Sequence, residues 1–164
     1  MAMDASRSDL RSAVLEAARR TGVENVDLSS EHARWEVYLR AMDSPAEWDL
    51  LREIVGLEPD PSVATSVVLR MLERVPDAER LAWAERLAVE GKRALAVLRV
   101  RELRILEAVS PAGDEVAEWS DWLQRAAAEK SASVRVLESL SRSGRTKRVR
   151  NLSAERLRAL RRAS

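Results

Sequence analysis

The chain has 164 residues, 46% of them hydrophobic and 34% charged, too apolar for a disordered chain and too charged for a membrane one. The absence of cysteine and the single histidine exclude a disulfide scaffold, a thiolate metal site, a thiol nucleophile and a histidine-rich metal centre. With no Phe, five Gly and five Pro, an all-β fold is disfavoured, and the net charge of +1 conceals an uneven distribution.

Residues 1–10 carry Asp4, Arg7 and Asp9 and no apolar run, so no secretory leader is expected. No window approaches about 18 uninterrupted apolar residues. The expectation is a soluble, cytoplasmic chain without a membrane partner.

Apolar spacing and punctuation predict nine helical segments. The first runs from about Ser6, where Ser6 and Asp9 resemble a capping box, to Arg20, with Gly22 beyond its end. The second covers Ser29 to Met42. Ser44-Pro45-Ala46-Glu47 supplies a capping Ser, a Pro at the first helical position and a Glu two residues on, opening the third. Asp60-Pro61 opens the fourth in the same way. Pro76-Asp77 opens a fifth that extends to Gly91. The sixth runs from Lys92 to Val109, and its stretch Ala94 to Leu98 is apolar on every face, which predicts the most buried helix. Ser110-Pro111-Ala112-Gly113 breaks the chain before a seventh over Asp114 to Lys130. An eighth spans Ala132 to Ser141. The ninth covers Thr146 to Arg162, with a possible restart at Ser153 and apolar contacts from Val149, Leu152, Leu157 and Leu160.

The segments pair, and the pairs recur. Trp48, Trp83 and Trp119 are spaced 35 and 36 residues apart, and Pro76 and Pro111 each follow a Trp by 28 residues. A two-helix period of this length is the signature of an α-solenoid. The stretch Leu57-Glu58-Pro59-Asp60-Pro61-Ser62-Val63 through Leu69-Arg70-Met71-Leu72 resembles the turn and second helix of a HEAT-like repeat. Ser131-Ala132-Ser133-Val134-Arg135 through Leu140 resembles it again. Tetratricopeptide repeats share the period, and Trp48, Leu51, Ala64 and Pro76 fit their spacing, so they are the second resemblance. The expected fold is all-α: a short right-handed α-solenoid of about four helix pairs over residues 1–142, followed by a basic C-terminal helix over 143–164 that packs on or extends the last repeat.

No chemistry-bearing motif stands out. His32 beside Glu31 has no nucleophile at a motif spacing and is read as a solvent-facing or capping residue. The acids Asp114, Glu115, Glu118 and Asp121 suit a helix first turn. Trp119 and Trp122 lie in an apolar stripe with Val116 and Leu123 and are read as packing residues, with Trp122 the candidate ligand platform. The pairs Glu16–Arg20, Glu36–Arg40, Asp121–Arg125 and Glu138–Arg142 all run acid to base four residues apart. The reading is non-enzymatic, with no cofactor, no metal and no small-molecule substrate.

Charge is the informative feature. Residues 141–164 hold nine basic side chains and one acid, whereas residues 1–140 hold 19 basic and 26 acidic ones. The HEAT-like resemblance implies that the second helices of the pairs line a concave face. That would gather Arg70, Arg74, Arg93, Arg101, Arg104, Arg135 and Arg142 near one surface, continued by Arg145, Arg148, Arg150, Arg156, Arg158, Arg161 and Arg162. The expected function is a scaffold or adaptor that binds an acidic protein partner there. The alternative is nucleic-acid binding, in which the same arginines grip phosphates.

Overall fold

A computed structural model describes residues 2–108 and 115–163, with side chains from residue 7 onward. The described residues form helices and turns with no strand. The helices are α1 (Ala2–Thr21), α2 (Glu31–Met42), α3 (Trp48–Leu57), α4 (Pro61–Leu72), α5 (Asp77–Ala84), α6 (Glu90–Glu107), α7 (Asp121–Lys130), α8 (Val134–Ser143) and α9 (Lys147–Ala163). None among the described residues is long and apolar enough to cross a membrane. The chain divides into two compact units, one ending at Val100 and one beginning at Arg101. The expected boundary, between a repeat domain over 1–142 and a C-terminal helix over 143–164, falls inside the second of these units.

In the first unit α1 packs on α2 and α3, α2 on α3 and α4, α3 on α4, and α4 on α5. Its core includes Val14, Val37, Tyr38, Met42, Leu51, Ile54, Val67, Met71, Leu72 and Trp83. Local chemistry sets the boundaries. Gly22, at φ 72°, turns the chain out of α1 while Val23 N–H reaches back to Ala18 O at 2.9 Å, the left-handed exit that favours glycine. Asp60 caps α4 by accepting from Ser62 and Val63 N–H, with Pro61 at the first helical position. A buried cluster joins α2 to the end of α3. Arg34 donates through Nε and Nη2 to the Glu58 carboxylate, at 3.2 and 2.9 Å. Tyr38 Oη donates to the same group at 2.5 Å. Burial disfavours the phenolate, and the bond to Glu58 adds to that, so the Tyr38 pKa rises well above the ordinary tyrosine value.

Several boundaries depart from expectation. Helix α1 begins at Ala2, so Ser6 lies inside it. Ser44 makes no side-chain cap; Pro45–Glu47 forms a single 3₁₀ turn, and α3 starts at Trp48. Helix α5 stops at Ala84 because residues 85–87 fold back in tight turns, and Arg93 Nε then donates to Leu87 O at 2.9 Å. Gly91 therefore lies in α6. That helix is not the most buried one: Leu95 and Leu98 are 39% and 45% exposed, and Ala94 is exposed. An apolar run fills every face of a helix, but the apolar side chains that are covered are Ala96, Val100 and Leu103.

The three tryptophans also differ in position. Trp48 is the first residue of α3, Trp83 is the seventh of α5, and Trp119 precedes α7. Trp83 and Trp119 are buried and Trp48 is half-buried.

In the second unit α9 lies against both α7 and α8, and α7 against α8. The core here is Val116, Trp119, Leu123, Ala127, Ala128, Val136, Leu140 and Val149, with Leu106, Trp122 and Leu152 packed against it. Helix α7 starts at Asp121 rather than at Asp114, because Ser120 Oγ caps Leu123 N–H at 3.1 Å and residues 115–119 form turns. The expected break at 110–113 and the residue Asp114 lie outside the described residues. Helix α9 is continuous through Ser153, with no restart there.

Candidate interaction surface

The C-terminal helix shows how the basic residues are used. Its buried side is Val149, Ser153 and Leu157, one turn apart from each other. Leu152 and Leu160, expected as contacts, are half-buried, Leu152 on a flank and Leu160 in line with the stripe near the end of the helix. Serine in the middle of the buried stripe is what a leucine-only reading overlooks.

The cations next to this stripe are consumed by the protein itself. Arg145 N–H donates to Gln124 Oε1 at 2.9 Å, and its guanidinium reaches Asp121 at 2.5 Å and Trp119 O at 3.0 Å. Arg150 Nη1 donates to Gly144 O, 2.6 Å away, just past the end of α8. Arg156 donates to Ser131 O at 2.7 Å and Lys130 O at 3.2 Å, closing the end of α7. These are the carbonyl ends where a cation is favoured. Arg161 pairs with Glu138 at 2.6 Å.

The opposite side of α9 is different. At about 100° per residue, Lys147, Arg158, Asn151, Arg162, Glu155 and Arg148 fall within an arc of about 100°. All six are exposed. No acid among the described residues pairs with Lys147, Arg148, Arg158 or Arg162. Lys147 and Arg148 sit in the first turn, where the helix dipole opposes positive charge, so helix stability does not explain them. Over about 22 Å of helix the face thus carries four cations and one central acid, Glu155.

The remaining expected surface residues are dispersed in role. Arg70, Arg74 and Arg93 belong to the first unit and the others to the second. Arg70 stacks over the Trp35 ring, 5.2 Å from its centroid. Arg74 reaches Asp43 at 3.4 Å. Arg93 is turned onto Leu87 O and Ala88 O. Arg101, Arg104, Arg135 and Arg142 are exposed, and Arg142 donates to its own helix at Glu138 O. Two expected helix pairs are replaced by longer-range ones: Asp121 bonds Arg145, and the Glu138 carboxylate bonds Arg161. The Glu16–Arg20 pair forms at 2.7 Å.

His32 is exposed in the first turn of α2. Glu115, Glu118 and Asp121 are exposed. Trp122 is half-buried against the second core. Among the described residues no group of three or more acids and histidines is placed to hold a metal ion. No protein family, curated protein or solved structure matches the chain.

Proposed function

We propose that this chain is a non-enzymatic helical adaptor, built on HEAT-like helix pairs, that docks an acidic protein partner on the solvent face of α9. The observation that carries this reading is the sorting of the tail's cations. Four of its arginines serve the fold, while Lys147, Arg148, Arg158 and Arg162 are left uncompensated on one face. The pairwise packing of α1 to α5 in chain order, and of α7 to α9, is what stacked helical hairpins would give.

A protein partner is favoured over nucleic acid by Glu155. It stands at the centre of the basic face, where a phosphate backbone would meet a like charge. A protein can offer a cation at that point and carboxylates on either side.

Fluorescence anisotropy with labelled poly-L-glutamate and with a random-sequence duplex DNA tests the reading. Saturable binding of poly-L-glutamate, tighter than that of the duplex, is expected. Tighter binding of the duplex with a steep salt slope would transfer the face to nucleic acid. No binding of either at low salt would remove the adaptor reading.

A further inference from the structure

The first unit holds a cavity of about 1010 Å³ between α1, the segment entering α2 and the chain leaving α3. Its volume is at the upper end of the range that accommodates drug-sized ligands. Leu10, Leu28 and Leu57 supply apolar lining, beside Ser8 and Ser29, and all three leucines are only half-buried, which leaves apolar surface open to an occupant. Three arginines are among the residues that line the same cavity: Arg7, Arg11 and Arg34.

They are not equivalent. Arg34 is neutralised by its two bonds to Glu58 and held by a third to Leu28 O at 2.9 Å. Arg7 and Arg11 are exposed, and no acid among the described residues pairs with either. They stand one turn apart on α1, so their side chains start from neighbouring points about 5–6 Å apart. Two uncompensated cations at one side of an apolar cavity are complementary to an anionic head group that carries a hydrocarbon body. A bare anion would leave the leucine wall wet. A neutral hydrocarbon would leave the two guanidiniums without a partner.

We infer that this cavity binds an amphipathic carboxylate, with its head group between Arg7 and Arg11 and its chain along Leu10, Leu28 and Leu57. The site shares no residue with the α9 face, and its test is independent of the adaptor reading.

Isothermal titration of the full chain with hexanoate, octanoate and decanoate provides that test. Affinity is expected to rise by up to about fourfold per added methylene as apolar surface is covered. The double variant Arg7→Gln/Arg11→Gln changes only exposed side chains, and it should weaken decanoate by about tenfold or more while the melting temperature holds. Decanol, which has the same chain without the charge, should bind the wild type more weakly than decanoate. Affinity independent of chain length, decanoate binding undiminished in the double variant, or no heat with decanoate below its micelle limit at two well-separated temperatures would each overturn the inference.

Discussion

Gln124 holds the start of the C-terminal helix to the turns that precede α7. Its Oε1 accepts the Arg145 N–H at 2.9 Å, and its Nε2 donates to Val116 O at 2.8 Å. Gln124 is 1% exposed, and its bond to Val116 O is buried. Gln124→Leu leaves the Arg145 N–H without its acceptor and the Val116 carbonyl with only the longer bond from Trp119 N–H, at 3.3 Å, and should cost about 2 kcal/mol by urea unfolding. A loss under about 1 kcal/mol would mean that the turns and α9 are held by apolar packing alone.

Gly144 marks a second constraint on α9. A Cβ there would stand 2.6 Å from Leu140 O and 2.8 Å from Val149 Cγ1. Both contacts are far inside van der Waals distance, and the first is to backbone. Gly144→Ala should therefore push α9 off α8 and destabilise by about 2 kcal/mol, read as a lowered melting temperature. The neighbouring control Ser143→Ala, on an exposed side chain, should stay within about 0.5 kcal/mol of wild type.

Ser153 predicts the opposite sign. The residue is fully buried, and its hydroxyl has no hydrogen-bond partner among the described residues. Removing the oxygen relieves a desolvation penalty and improves helix propensity. Ser153→Ala should raise stability by about 1 kcal/mol in thermal or urea unfolding.

The Glu16 carboxyl offers a test by pH. Hydrogen bonds from Arg19 and Arg20 lower its pKa from 4.5 to about 2. A lowered folded-state value favours the folded chain above the unfolded value, and that contribution is lost as pH falls from there toward about 2. The group is on the surface, so the effect on stability is small and screened by salt. Carbon-detected NMR titration should place the Glu16 midpoint near 2 at low salt, and added salt should move it up toward 4.5.

Much of the helical layout is legible in the sequence, because caps and breakers act locally. Asp60-Pro61 and Gly22 end or begin helices where their chemistry requires it. The start of α7 is not legible, because it depends on Ser120 and on Gln124 reaching back to Val116, while the acids upstream imitate a first turn. Burial on α6 is illegible for a different reason: an apolar residue becomes core only where another element covers it, and nothing local distinguishes Ala96 from Leu95. The excess of cations after residue 141 is plain from composition. Which of them are spent is not, since Arg150 and Arg156 find their partners at the carbonyl ends of α8 and α7. The four-residue spacing of Val149, Ser153 and Leu157 carries the phase, provided the serine is admitted to the stripe.

Paired charge variants on α9, read by anisotropy with labelled poly-L-glutamate and by thermal melting, separate binding from folding. Arg148→Gln/Arg158→Gln/Arg162→Gln removes cations from the solvent face. Arg145→Gln/Arg156→Gln/Arg161→Gln removes the same number of charges from side chains that bond the protein itself. The proposed function predicts that the first variant loses about tenfold in affinity with its melting temperature unchanged, from three exposed charge contacts. It predicts that the second melts lower while the folded protein keeps most of its affinity. Equal loss of affinity in both variants at unchanged melting would contradict it, because binding would then follow net charge and not the α9 face.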